Sequence, residues 1–561
     1  MKILLIYPPF LDPRLDAEDI RSAPIGLYYV AAALIARGHT VEILCWPEIP
    51  SAPEAVADLL RRQAPELIGF SVLHANRWGA IEIARIARRA VPGAAVVFGG
   101  VGATHLWEFF LSRFPEIDYV VLGEGERTMA ALADRLAAGD REGIRRIPGL
   151  AAREGGRPAR HPAAARAAAP DRLPMPARHF DLGHVVLARG CHADCAFCGS
   201  PAFWGRRVRA HSPGYFVDQL EHLRRRGRRL VHVSDDTFTL DRRRATAVCQ
   251  EILRRGIDIS WTAISRVDAV DAEVLAWMRR AGCIQVSYGV ESGSAEIRRR
   301  LGKRFGDEEV RRAFDLTQRY GMLARAYFIY GCPGESEASI RATIDLMRAI
   351  KPLAAVFYIL DIFPGTALYD DLRRRLGVTD AIWLDRVEDI MYFETDPQLD
   401  AAWVLEAGRR LRQAFHAGLP DFVAALDPID LPEFRARHAD FFSRLAMTFD
   451  QGDYARVAAI PDKPAIAESL YRRALACHPD PRAYLGLGML RQRAGRPAES
   501  AAILEEGLDR FPGDAALGVC LAVSRLHLGR PRAALALLER FADHPQAPAL
   551  AAACRRSLGA A

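Results

Sequence analysis

The stretch "LARGCHADCAFCGS", Leu187–Ser200, holds three of the chain's ten cysteines within eight residues: Cys191, Cys195 and Cys198. Cysteines spaced this closely point to metal or redox chemistry. A zinc site needs a fourth ligand. His192 lies inside the loop and His211 downstream, but neither makes a paired half-site with a cysteine. A redox pair accounts for Cys195 and Cys198 and leaves Cys191 over. A ferredoxin cluster takes four cysteines, and the next one, Cys249, is 51 residues away. Three thiolates on a four-iron cluster leave one iron open, able to hold a substrate or cofactor by an amine and a carboxylate.

"HVVLARG" leads into these cysteines, and "LVHVSDD", "DISWTAISR", "IQVSYGVES", "ARAYFIYG" and "AAVFYILDIF" follow as strand candidates. Helical patterns such as "GYFVDQLEHLRRRG" and "DEEVRRAFDLTQRYG" separate them. Six strands with five intervening helices predict a partial (β/α)6 TIM barrel over 181–400, with chemistry at the C-terminal ends of its strands. Upstream, "KILLIY", "TVEIL", "LIGFSV", "AAVVFGG" and "DYVVLGEGE" alternate with helical runs. Residues 1–150 therefore predict an α/β, Rossmann-like, doubly wound parallel sheet that binds ligands beyond its strand ends. From Gly155 to Arg178 Pro, Ala and Arg dominate, and residues 151–180 read as a surface linker.

The tail reads as all-α, with a helical connector over 401–460 and helical repeats over 461–561. Gly495, Arg496 and Pro497 recur as Gly529, Arg530 and Pro531. This 34-residue period resembles tetratricopeptide repeats. Two and a half such units are expected to pack on the neighbouring domain, as a cap or as a docking surface for a protein partner.

A net charge of +7 raises the question of nucleic acid. The basic residues are nearly all arginine and are interleaved with acids, as in "LRRRGRRLVHVSDD", so a nucleic-acid face is not expected. The apolar run in "MKILLIYPPF" is too short for a signal peptide, and no run reaches bilayer length. The other seven cysteines are scattered singly, as buried thiols in a reducing compartment are. A cytoplasmic location is expected.

The C-x3-C-x2-C spacing after a first barrel strand, with an alternating α/β series behind it, resembles the radical S-adenosylmethionine (SAM) enzymes. The resemblance implies a [4Fe-4S] cluster on Cys191, Cys195 and Cys198, SAM at the open iron, and Phe197 near the adenine. It places Ser234, Asp235 and Asp236 of "VSDDTFTL" near the methionyl amine, where Gly-Gly-Glu is commoner. Arg266 of "SRVD" falls at the methionyl carboxylate, and Glu291 and Ser292 of "GVESGS" at the ribose. "YFIYGCPGES" resembles the fifth-strand motif, with Tyr327 where some relatives have glycine. Each acid or arginine has an alternative use as an ion pair or helix cap. What unites them is their position after successive strands.

The first domain carries neither G-x-G-x-x-G nor a P-loop. Its "SVL", Ser71–Leu73, and "GG", Gly99–Gly100, end strands 28 residues apart. They resemble cobalamin-binding domains, in which the serine bonds the dimethylbenzimidazole tail and the glycines let backbone pass close to it. "GEGE" (Gly123, Glu124, Gly125 and Glu126) resembles the same domain joined to radical enzymes. The D-x-H-x-x-G of methionine synthase has no counterpart, because "PPFLDPRLDAEDIRSAPIGLYYV" contains no histidine. The lower face of a bound cobalamin is thus expected on water or a non-histidine group.

Over roughly residues 1–400 these resemblances imply a cobalamin-dependent radical SAM enzyme. The first reading is a methyltransferase acting on an unactivated carbon through a 5′-deoxyadenosyl radical and methylcobalamin, fed by a flavodoxin- or ferredoxin-type electron donor. The second is oxidative cyclisation or rearrangement with the same cofactors. The third is a non-catalytic cobalamin- or redox-sensing scaffold. Tyr358 and Asp361 on the sixth strand are the candidates to face the substrate, whether a small molecule or a carrier- or peptide-bound group.

Overall fold

Lys2–Tyr7 (β1) is buried from Ile3 onward with no alternation, the pattern of a strand covered on both faces. It pairs in parallel with Thr40–Cys45 (β2) and Leu67–Ser71 (β3). Ala95–Gly99 (β4) and Tyr119–Val121 (β5) continue the sheet in parallel. The computed structural model describes residues 1–10, 25–167, 169–385 and 388–559. The greater part of the stretch without histidine therefore lies outside the described residues. Strand order reverses on either side of β1, and the ligand crevice of such a sheet opens beyond the strand ends there.

The sheet does not stop at residue 150. Leu150–Glu154 (β6) and Arg157–Arg160 (β7) add two antiparallel strands, turned by Gly155 and Gly156 at φ 56° and 80°. The expected linker is corrected accordingly. It supplies β7, and beyond it Ala167, Leu173, Met175 and Ala177 are buried. Isolated apolar residues between prolines carry no period, so their burial left no pattern to read.

The second sheet comprises His184–Val185 (β8), Leu230–Val233 (β11), Ser260–Ser265 (β12), Cys283–Glu291 (β13), Leu323–Tyr330 (β14) and Ala354–Ile359 (β15). All six are parallel and in sequence order, and β8 does not pair with β15. This is the expected barrel, open on one side. Between β8 and β11, Ala188–Arg189 (β9) and Arg209–Ala210 (β10) pair antiparallel and bracket the cysteine loop. Helices Pro213–Arg225, Arg242–Arg254, Ala272–Arg280 and Glu337–Ile350 begin on Ser212, Asp241, Asp271 and Ser336. Each of these side chains accepts an N–H of the first turn, as N-caps do.

Two long helices, Ala401–Ala424 and Arg435–Asp450, precede six shorter ones. Lys463, Pro497 and Pro531 open helices 34 residues apart, as do Pro481 and Ala515. Phe415, Phe442, Leu470 and Leu487 share one apolar core with Val286 and Phe314 of the barrel, so the tail packs on its neighbour. No helix among the described residues is long and apolar enough to cross a membrane.

Candidate active site

The cysteine loop leaves β9 through Gly190 at φ 99°. Cys191 is buried, Cys195 and Cys198 are half-buried, and all three are free thiols. The Cys198 N–H donates to the Cys195 carbonyl at 3.1 Å, and the Ala196 N–H to the Leu301 carbonyl at 3.1 Å. Gly302, at φ 80°, lets the 301–303 turn seat against this loop: a Cβ there would collide with the Asp194 carbonyl and stand 3.1 Å from the Cys195 Cα. Burial raises the Cys195 thiol pKa against the opposing charges of Lys303 and Arg266. Burial lifts Cys198 to about 11. Iron ligation must displace those protons. His192 is exposed. His211 is lowered to about 4 by burial and is held by Asp171 at 3.0 Å and Tyr29 at 3.3 Å. The two zinc alternatives are thus an exposed ring and a ring already committed.

The residues expected around SAM gather at the C-terminal ends of β11, β12 and β13, in differing states. The Arg266 guanidinium lies near Cys191 and Cys195. It donates to both oxygens of Asp268, at 2.9 and 2.6 Å. Glu291 sits at a β-bulge of β13 with φ 65°, a strained conformation for a non-glycine residue. Lys303, 7% exposed, meets it with Nζ 2.8 Å from Oε1. The same ammonium lies 5.8 Å from the Phe197 ring.

Other expected contacts already have structural partners. Asp235 accepts the Leu187 and Ala188 N–H groups at 2.7 and 3.0 Å and so braces the entry to β9. Its burial raises the carboxyl to about 7. Asp236 accepts the Ser200 hydroxyl, Ser234 bonds His184 at 2.8 Å, and the Ser292 hydroxyl bonds Thr343 at 3.2 Å. Lys303 and Asp268 were missed by motif reading. A signal for Lys303 existed: it is one of four lysines in a chain that otherwise uses arginine.

A cavity of about 470 Å³ lies where the two sheets face each other. Ser71, Gly99, Gly100 and Gly123–Glu126 line it from the first sheet; Gly199, Ser200 and Phe203, just past Cys198, line it from the barrel. Leu73 is not among the lining residues; its N–H donates to Asn76 at 2.8 Å. A Cβ on Gly123, at φ 68°, would meet no protein atom within 4 Å. Gly100, at φ 94°, passes Val72 so closely that a Cβ would stand 2.9 Å from its carbonyl oxygen. A largely apolar chamber walled by bare backbone suits a broad, flat corrin, and the three free thiols beside it suit a cluster.

Glu124 and Glu126 line this cavity but spend their carboxylates elsewhere. Arg189 pairs with Glu126 at 2.6 Å and stands 3.7 Å from Glu124, while Arg209 pairs with Glu124. All four side chains are at most 8% exposed. The Arg189 guanidinium also lies 4.7 Å from the Tyr29 ring and 5.2 Å from Trp204. The arms that bracket the cysteine loop are thereby clamped to the first domain. A second clamp joins His74, just past Leu73, to Asp361 and Asp389, each 3.2 Å from Nε2. The ring is stacked 5.2 Å from Phe363, another cavity residue. Burial alone would lower the His74 pKa; the two carboxylates outweigh it and raise it to about 9. Asp361 is thus committed to the domain seam. Tyr358 is half-exposed on β15, 5.9 Å from the Tyr327 ring.

The radical SAM superfamily model matches residues 185–347, and the B12 binding domain model matches residues 21–133. A protein of Pyrococcus horikoshii named an uncharacterized methyltransferase is 32% identical over 384 residues, which are 66% of this chain and 83% of that one. The anaerobic magnesium-protoporphyrin IX monomethyl ester cyclase of Cereibacter sphaeroides is 27% identical over 70% of this chain and 67% of its own. Among solved structures, the radical SAM methyltransferase TsrM of Kitasatospora setae, with cobalamin and a [4Fe-4S] cluster bound, superposes with a TM-score of 0.58 at 20% identity. It covers 85% of this chain and 98% of its own, a likeness of fold. With the cysteine loop and the glycine-walled chamber meeting at one cavity, the chain belongs to the cobalamin-dependent radical S-adenosylmethionine enzymes.

Proposed function

We propose that this enzyme methylates an unactivated carbon. The observation that carries the reading is the shared cavity: Gly99, Gly100 and Gly123 line it together with Gly199 and Ser200, the residues next after Cys198. This supports a reading in which both cofactors meet at one cavity. When bound, the cluster, SAM and cobalamin supply the one-electron and methyl-transfer chemistry. The relative named a methyltransferase and the fold neighbour TsrM support this outcome; the cyclase relative supports the alternative of ring closure with the same cofactors.

The chain's own residues bind, orient and exclude water. Cys191, Cys195 and Cys198 would hold the irons. Arg266, fixed by Asp268, offers positive charge to a carboxylate, and Glu291, fixed by Lys303, offers acceptors to ribose hydroxyls. Phe203, Trp204 and Phe363 line the cavity with apolar surface. The substrate would lie against the inner face of the barrel, where His184 and His232 stand 5.1 Å apart and His232 bonds Thr262 at 2.8 Å. Tyr358, 5.9 Å from the Tyr327 ring, is the further candidate to face the substrate. A polar group on a small-molecule or carrier-bound substrate suits this surface, and a flavodoxin- or ferredoxin-type donor would reduce the cluster.

Anaerobic reconstitution with iron, sulfide and cobalamin tests the reading through its products. Equal yields of S-adenosylhomocysteine and 5′-deoxyadenosine are expected for methylation. 5′-Deoxyadenosine alone would replace it with cyclisation or rearrangement.

A further inference from the structure

At the opposite end of the barrel from the cysteines, where β11, β12 and β13 begin, a second cavity of about 300 Å³ lies between the barrel and the helical tail. Its lining is polar and strongly basic: Arg229, Arg279, Arg437, Arg444 and Arg482 face it, against Asp258 and Asp440. Asp480, 3.9 Å from Arg482, is the further acid nearby; with it counted, two positive charges remain uncompensated.

One carboxylate carries most of the pairing. Asp440 sits 3.0 Å from Arg279, 2.8 Å from Arg444 and 2.6 Å from Arg482. Three guanidiniums on one carboxylate hold it far below the ordinary carboxylate range despite its burial. Arg279 is 1% exposed on its side chain, and its Nε has no hydrogen-bond partner among the described residues. The Arg437 guanidinium donates to a carbonyl, that of Arg280, at 3.0 Å. Like charges gathered around one polar cavity repel one another. An anion with several oxygens relieves that repulsion, and guanidiniums match phosphate oxygens in pairs.

We propose that this cavity binds the phosphate groups of a di- or triphosphate and thereby ties the helical tail to the base of the barrel. Arg229, Asp258 and Arg279 come from the barrel, whereas Arg437, Asp440, Arg444 and Arg482 lie beyond the residues that either family model matches, so the tail supplies one wall of the site. It stands apart from the cysteine loop, and its test needs no turnover.

Calorimetric titration of the full-length protein with inorganic pyrophosphate and with ATP, at matched ionic strength against a chloride control, reads the site directly. Saturable binding near one per chain is expected, together with a rise in thermal midpoint. The variant Arg229→Gln/Arg437→Gln leaves the three arginines on Asp440 in place; it should fold as the parent does and bind about tenfold or more weakly. Arg229→Gln alone, at an exposed side chain, serves if the double variant does not fold. Tighter binding of ATP than of pyrophosphate would indicate a nucleotide, and equal binding a bare phosphate ligand. Absence of saturable heat with both probes, or binding unchanged in the variants, overturns the proposal.

Discussion

Replacing Arg189 or Glu126 tests whether the domain seam depends on charge pairing. Arg189, Arg209, Glu124 and Glu126 form a neutral group of two cations and two anions, each at most 8% exposed. Glu126→Gln leaves the Arg189 guanidinium with Glu124 at 3.7 Å as its remaining carboxylate. Arg189→Met leaves the Glu126 carboxylate buried without its cation. Orphaning one member of a buried pair costs about 3–5 kcal/mol, whereas replacing both by neutral groups of similar size costs far less. The double variant Arg189→Met/Glu126→Gln should therefore be more stable than the two single losses add up to, with a coupling of about 2–3 kcal/mol. Urea unfolding followed by tryptophan fluorescence measures all three; Trp204, 5.2 Å from Arg189, reports from the seam itself. Arg189 stands two residues before Cys191, so Arg189→Met should also lower iron content on reconstitution, and the double variant should recover part of it. Single losses below about 1 kcal/mol, or strict additivity, would refute the reasoning.

The His74 clamp makes the seam pH-dependent. With its folded pKa raised to about 9 from an ordinary 6.5, its contribution is complete below pH 6.5 and is lost as pH rises through 9, amounting to roughly 3 kcal/mol. The unfolding free energy of the parent should fall across that window more steeply than that of His74→Gln; parallel curves would exclude the clamp. Lys303→Met leaves Glu291 buried and unpaired, so SAM cleavage should slow at least about tenfold while the cluster absorbance persists. Loss of the cluster itself would assign Lys303 a structural role. Gly100→Val forces a side chain at φ 94° against Val72. It should abolish cobalt binding and spare iron binding, and cobalt retained at one per chain would place the corrin elsewhere.

What sequence alone determined here is what travels along the chain. A C-x3-C-x2-C loop is a local spacing, and strand–helix alternation is a local period. Both could be read, and both lead to the two sheets, the open barrel and the three neighbouring thiols. Gly100 and Gly123 take positive φ, a local backbone property that favours glycine. Tertiary structure alone decided who pairs with whom. His74 meets Asp361 across 287 residues of chain, and Glu124 and Glu126 are claimed by arginines on either side of the cysteine loop. Lys303 becomes a site residue because a turn packs the cysteine loop against Glu291. The stretch from Gly155 to Arg178 looked like a linker because its burial comes from docking against two domains rather than from any period of its own. Charge pairing and burial depend on distance in space, and that distance is set only once the two sheets close on each other.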